Sequence, residues 1–216
     1  MARHFITPAA LAAVLHTRTA PAIFDLRDTE DAAADPRRIP GAIPVTLAGL
    51  EAGIAVSGAV VCTCQRGGKL SQIGAGLLRE HGLSARHLFG GHLAWVAGGW
   101  PLCGSPPTPA RWVMPPDPDW DELAALWVLR RLVDRRARVI AVERDWLARG
   151  AEVWSANILP PTASAMAGLA GLDHPIVSRL PGGSDRMVSG RLVRKADPSE
   201  AFDLVDDWIA GAEVSA

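Results

Sequence analysis

"VVCTCQRGGKLSQ", residues 60–72, carries the reading of the whole chain. A β-branched apolar run, which favours a pleated strand, ends in Cys62 and Cys64 and passes directly into Gln65-Arg66-Gly67-Gly68-Lys69 before a helical pattern begins. Glycines let successive backbone N–H groups turn to one side as an anion-binding nest, and the following helix adds the positive end of its dipole. In an open parallel sheet, ligands collect outside the carboxyl ends of strands, where loops enter helices. A thiol at Cys64 would therefore meet backbone amides, Arg66 and Lys69, surroundings that favour the nucleophilic thiolate. The residues alone leave a second reading open, that of a strand ending in a glycine turn with two small, half-buried cysteines.

Outward from this stretch, the first half of the chain alternates short apolar runs with helical patterns. Thr7 and Pro8 open a helix as N-cap and first helical residue. "APAIFDLR" reads as a buried strand ending at Asp25 and Arg27, "GAVVCTC" as a second and "ARHLFGG" as a third. Between the last two, "LSQIGAGLLREHG" predicts a helix with Ile73, Leu77 and Leu78 on its apolar face and Gly82 at its end. "HLAWVAGGWP" predicts a short helix and a turn. Strands alternating with helices imply an α/β domain with a mainly parallel sheet.

The proline-rich segment "GSPPTPAR", residues 104–111, reads as a stiff linker between a first domain, residues 1–103, and a second, residues 112–216. In the second half, Asp119 with Glu122 three residues on signals a helix start, "RVIAV" a strand, and Asp197-Pro198 with Glu200 a final helix carrying Phe202, Val205, Trp208 and Ile209 on one stripe. Residues 157–195 are turn-rich and give no clear element. Six of the eight tryptophans follow the linker, at spacings that suit a core or an interface. The basic run Arg130, Arg131, Arg135, Arg136 and Arg138 reads as a solvated helix end whose charges complement the dipole, with an anion or partner site as the alternative.

Composition narrows the function. A net charge of -1 gives no electrostatic reason to expect nucleic acid as a partner. No apolar stretch approaches the roughly 20 residues of a membrane span. Three cysteines form no disulfide framework and suit a reducing compartment, so a cytoplasmic location is expected. No paired ligand spacing of the C-x-x-C kind occurs, and neither a metal nor a cofactor is expected. Cys103, just before the linker, reads as an incidental thiol, and His92 as a surface residue, with an approach to the site from the Gly90-Gly91 turn as the alternative.

Four stretches in order resemble the rhodanese, or sulfurtransferase, family over roughly residues 5–103: "FDLRDTED" (Phe24 to Asp31), "IPGAIPV" (Ile39 to Val45), the loop starting at Cys64, and "GGHLAWVAGGWP" (Gly90 to Pro101). The resemblance implies a parallel sheet flanked by helices and a ping-pong cycle through a persulfide on Cys64. It makes Gln65, Arg66, Gly67, Gly68 and Lys69 the substrate-binding loop and Asp25 and Arg27 its support, with a small sulfur donor and a thiol or cyanide acceptor as partners. Within this fold, sulfurtransferases carry a six-residue loop and related phosphatases one residue more. Lys69 closes the sixth position here, and Leu70, at the seventh, cannot bind phosphate oxygens, so the count favours sulfur transfer. Two residues depart from the family's habit: lysine stands at 69 where arginine is common, and Arg38 stands where a histidine often precedes "IPGA".

"RWVMPPDPDWDELAALWVLRRLVD" (Arg111 to Asp134) resembles the start of the chromate-resistance protein C-terminal domain, and "AFDLVDDWI" its last helix. That resemblance implies a smaller, mostly helical α+β domain. The cysteine that this family places before the helix tryptophan is Ala125 here, and its Glu-, His- and Cys-rich middle stretch is not found. The expectation is a sulfurtransferase with an accessory domain. The alternative is a non-catalytic module that responds to thiols or to oxyanions such as chromate.

Overall fold

The computed structural model describes residues 4–180 and 205–209, and the chain divides into two compact units, residues 1–105 and 106–216. The first is built on five parallel strands: β1 (Phe5–Ile6), β2 (Ala22–Asp25), β3 (Ala42–Pro44), β4 (Ala59–Thr63) and β5 (Ser84–Leu88), in the spatial order β1-β5-β4-β2-β3. The helices are α1 (Pro8–Val14), α2 (Thr29–Ala34), α3 (Leu47–Glu51), α4 (Lys69–Glu80) and α5 (Gly91–Ala97). From β2 the chain steps to one side of the sheet, and from β4 to the other. The crevice of a parallel sheet therefore opens beyond the carboxyl ends of these two neighbours.

Local chemistry sets most of the boundaries. The Thr7 hydroxyl accepts from the Ala10 amide with Pro8 at the first helical position, as expected for α1. Past α4, Gly82 adopts φ +80°, the left-handed ending that glycine supplies without a Cβ penalty. The buried face of α4 differs from the expected one: Ser71, Gly74, Ala75 and Leu78 face inward, while Ile73 is exposed. The cause is close packing. A Cβ on Gly74 would lie 2.6 Å from Leu26 Cδ1, so only small residues fit the line of contact and the bulkier Ile73 is displaced to the rim.

The second unit holds a short parallel sheet in the order β7-β6-β8, from β6 (Arg111–Met114), β7 (Arg138–Ala141) and β8 (Asn157–Ile158). Arg111, assigned to the linker from sequence, is the first residue of its central strand. Helix α6 (Trp120–Val128) starts in a complete capping box between Asp119 and Glu122 and is buried nearly all round. It continues as a π-helical turn, Leu129–Val133, which is followed after β7 by α7 (Leu147–Trp154). The stretch from residue 157, which offered no element from sequence, contains β8, α8 (Ala163–Leu169) and α9 (Pro175–Arg179).

The arginine run is a solvated end only in part: Arg136 and Arg138 are exposed, and the others are not. Arg130 is half-buried, Arg135 is pushed down to about 10 by burial with Arg131's charge adding to the effect, and Arg131 pairs with Asp206. Asp206 also accepts from the Trp127 indole at 2.7 Å. It lies in the helical residues 205–209, where Val205 and Ile209 are buried as the expected stripe requires. Asp197, Pro198, Glu200 and Phe202 lie outside the described residues. Trp112, Trp120 and Trp127 are core residues, whereas Trp146 and Trp154 are exposed. None of the helices described is long and apolar enough to cross a membrane.

Candidate active site

Cys64 follows β4 immediately, at the carboxyl end of the central strand, and the loop from Cys64 to Gly68 delivers the chain into α4 at Lys69. Two glycine turns, distant in sequence, interlock to shape this loop. Gly67 (φ +65°) and Gly91 (φ +60°) both need the left-handed region. A Cβ on Gly91 would come within 2.2 Å of the Cys64 carbonyl and 2.3 Å of the Gly67 nitrogen, and one on Gly67 within 2.5 Å of the Leu88 carbonyl. Side chains cannot enter this seam.

The hydrogen bonding of the loop is sorted by polarity. The carbonyls of Cys64 and Gln65 accept from the amides of His92 and Leu93 at 2.9 and 3.0 Å. The Gly67 carbonyl accepts from Gln72 Nε2 at 3.3 Å, and the Gly68 carbonyl from the Gln72 amide and the Ser71 hydroxyl, both at 3.1 Å. The N–H groups of Gln65, Arg66, Gly67 and Gly68 donate to no protein acceptor among the described residues. Four of the loop's carbonyls are thus engaged by α4 and α5, while four amide donors and the buried Gln65 Oε1 are left over. Amide donors left unpaired together in one loop suit an anionic occupant.

Cys64 itself is 6% exposed, and its Sγ lies 3.2 Å from Ser71 Oγ. Arg66 and Lys69 are exposed, and among the described residues neither has an ion-pair partner. Leu70 turns toward the apolar cluster that includes Leu26, Leu50 and Leu78, so the seventh position offers an anion nothing. Cys62 belongs to the same cluster, and burial pushes its thiol up to about 12. Cys103, buried against the antiparallel bridge to Arg38, is pushed up to about 11 by burial. All three cysteines are free thiols. Among the described residues no group of three or more His, Cys, Asp or Glu side chains could hold a metal.

Among the described residues, no hydrogen bond or ion pair joins Asp25 or Arg27 to the cysteine. Arg27 makes a bidentate, almost fully buried pair with Asp25 and donates to the carbonyls of Asp35 (2.7 Å) and Arg37 (2.9 Å). This fixes the segment after α2, where Asp35 Oδ2 stands 3.2 Å from His92 Nε2. His92 is therefore a buried residue, 1% exposed, and not the surface histidine expected. The Arg37 guanidinium holds the Asp35 carboxyl well below the usual carboxylate range, and burial pushes the His92 imidazole down. Through the amide of His92 on the Cys64 carbonyl, this polar chain reaches the loop at one remove. Sequence reasoning missed Ser71, Gln72 and His92. The one local signal was a hydroxyl in the first turn of the helix that follows the glycines.

No protein-family model matches the chain, and no curated protein sequence does. Solved structures with rhodanese-like domains do match, over somewhat less than half of it. A rhodanese-related protein from Thermoplasma volcanium is 20% identical over 47% of this chain and 97% of its own, at a TM-score of 0.40. A thiosulfate sulfurtransferase from Pseudomonas aeruginosa is 28% identical over 47% of this chain and 19% of its own, at 0.39. A protein of unknown function from Rhodopseudomonas palustris, described as a possible tyrosine phosphatase, is 28% identical over 45% of this chain and 83% of its own, at 0.39.

Proposed function

We propose that the first unit is a sulfurtransferase that carries a sulfane sulfur on Cys64. The observation that carries this reading is the run of four unpaired backbone amides on the loop that begins at a strand-end thiol. In the loading step the Cys64 thiolate attacks the outer sulfur of thiosulfate. A bond forms from Sγ to that sulfur, the sulfur–sulfur bond of thiosulfate breaks, and its electron pair leaves with sulfite. The persulfide anion that results has lost its water shell, and amide donors fixed in advance replace that shell without reorganising. Arg66 and Lys69 draw the anionic donor to the loop. A thiol or cyanide then takes the outer sulfur and returns Cys64 to its starting state, a two-stage cycle typical of covalent catalysis.

Phosphate-ester hydrolysis is the less suitable chemistry, because Leu70 is packed into the core where a phosphate clamp would need a cation. The accessory role of the second unit, including any response to chromate, belongs to the same proposal and rests on sequence resemblance alone.

The test is steady-state formation of thiocyanate from thiosulfate and cyanide, run beside hydrolysis of an aryl phosphate. Thiocyanate should form with ping-pong kinetics and fall by about 1,000-fold or more in Cys64→Ser, as expected on removal of a covalent nucleophile. Lys69→Ala with Arg66→Ala should raise KM for thiosulfate about 10-fold at low salt, with the difference shrinking as salt screens the charges. Aryl phosphate turnover without thiocyanate formation would replace the proposal with the phosphatase reading.

A further inference from the structure

Ser71 has a place in this site that neither the loop count nor the fold explains. It stands in the first turn of α4, is fully buried (0% exposed), and is one of the few polar side chains in the unit's interior. Cys64 Sγ–H donates to Ser71 Oγ at 3.2 Å, and Ser71 Oγ–H donates to the Gly68 carbonyl at 3.1 Å. This arrangement holds only while the sulfur carries a proton. Once it is lost, Sγ becomes an acceptor and the donor must come from elsewhere.

A hydroxyl can rotate to supply it. The rotation leaves nothing stranded, because the Gly68 carbonyl keeps a second donor, the Gln72 amide at 3.1 Å. We propose that Ser71 is a positioning residue that accepts from the Cys64 thiol and donates to the Cys64 thiolate, so that the same contact serves both states of the sulfur. This rests on the sulfur-carrier reading for its kinetic consequence, though not for the contact itself.

The consequence is unequal for the two halves of the cycle. In discharge, the persulfide anion takes a proton from solvent on its outer sulfur, and an acceptor thiolate attacks that sulfur. The new bond joins acceptor to outer sulfur, the proton stays on that sulfur, the Cys64 sulfur–sulfur bond breaks, and its electron pair returns to Sγ. Cys64 is then a leaving group, and a hydrogen bond to its developing charge speeds departure. In loading, Cys64 is the nucleophile. The same bond increases the fraction of thiolate but weakens each thiolate as a nucleophile, so the two effects partly cancel.

The experiment compares wild type with Ser71→Ala and Ser71→Thr. Alkylation of Cys64 by iodoacetamide is followed across pH by the mass of the peptide that carries it. Cys62 and Cys103, held up to about 12 and about 11, do not titrate in the range used. In Ser71→Ala the half-maximal pH should rise by about one unit, the loss of one charge-assisted hydrogen bond, and Ser71→Thr should return it to within a few tenths. Single-turnover discharge of the loaded protein should slow about 10-fold in Ser71→Ala while loading, measured above both half-maximal pH values, changes less than threefold. Should Ser71→Ala not fold, Ser71→Cys replaces it at nearly constant volume; residues 64 and 71 fall on separate tryptic peptides, and the half-maximal pH must again rise because a thiol is the weaker donor. An unchanged half-maximal pH in the folded variant, or equal slowing of loading and discharge, overturns the proposal. Because alkylation reads the thiol whether or not sulfur is ever loaded, a failure here is separable from a failure of the sulfur-carrier reading.

Discussion

The two units of this chain use the same device, a parallel sheet with helical crossovers, and treat their polar groups in opposite ways. In the second unit several buried or half-buried polar groups are matched within the protein. Asp119 and Glu122 close the start of α6 on each other, Arg144 sits on Glu122 at 2.8 Å, and Asp206 takes both the Trp127 indole and the Arg131 guanidinium. In the first unit the loop after β4 leaves four amides without protein acceptors, and two cations beside them without partners among the described residues. Unmatched donors on a loop that begins at a thiol suit an anion, and the proposed chemistry rests on that difference.

The contrast can be broken most severely at the glycine seam. Gly91→Ala would drive a methyl group into the Cys64 carbonyl at 2.2 Å from a backbone with φ +60°, and should cut thiocyanate formation about 100-fold or more as the loop is pushed out of register. Gly68→Ala is the control, since a Cβ there meets nothing within 4 Å; it should stay within about threefold of wild type. Equal losses in the two variants would show that loop flexibility, and not the interlocked shape, matters.

A second perturbation separates the units by kind. Asp206→Ala removes a buried acceptor shared by the Trp127 indole and the Arg131 guanidinium. It should cost about 3 kcal/mol in denaturant unfolding. A loss below about 1 kcal/mol would mean that the pair is solvated in solution.

The smallest effect concerns pH. Burial pushes the His92 and His87 imidazoles below the ordinary 6.5, with Asp35 opposing the shift at His92 only in part. A histidine depressed on folding binds more protons unfolded than folded, so its stabilising contribution is complete above about 6.5 and is lost as pH falls toward the depressed value. Asp35, held far below this window, stays ionised throughout. Between pH 7 and pH 5 the melting temperature should drop by about 2–4 °C for each kcal/mol lost, and His92→Gln should flatten the dependence. A melting temperature that rises over this interval would contradict the assignment of a buried, neutral His92.

What could be read from sequence was local. The strand ending at Cys64, the caps at Thr7 and Asp119, and the glycine ending of α4 depend on neighbours a few residues away, and these agree with the structure. The edge strands β1 and β3, two and three residues long, are too short to show a period. The inward face of α4 holds Leu78 as expected but not Ile73, because the close approach at Gly74 favours the small residues Ser71, Gly74 and Ala75 there. His92 and Ser71 escaped for a related reason. Their partners, Asp35 and Cys64, are set by tertiary approach of separate turns, and no spacing within one stretch encodes that. The five-residue π-helical turn after α6 likewise follows an unbroken helical pattern and gave no sign of itself.

The central claim, that Cys64 carries sulfur, is tested most directly by the mass of the Cys64 peptide after incubation with thiosulfate. A gain of about 32 Da on that peptide is expected, removed by a thiol acceptor and absent in Cys64→Ser. No gain, or a gain that persists in Cys64→Ser, would contradict it.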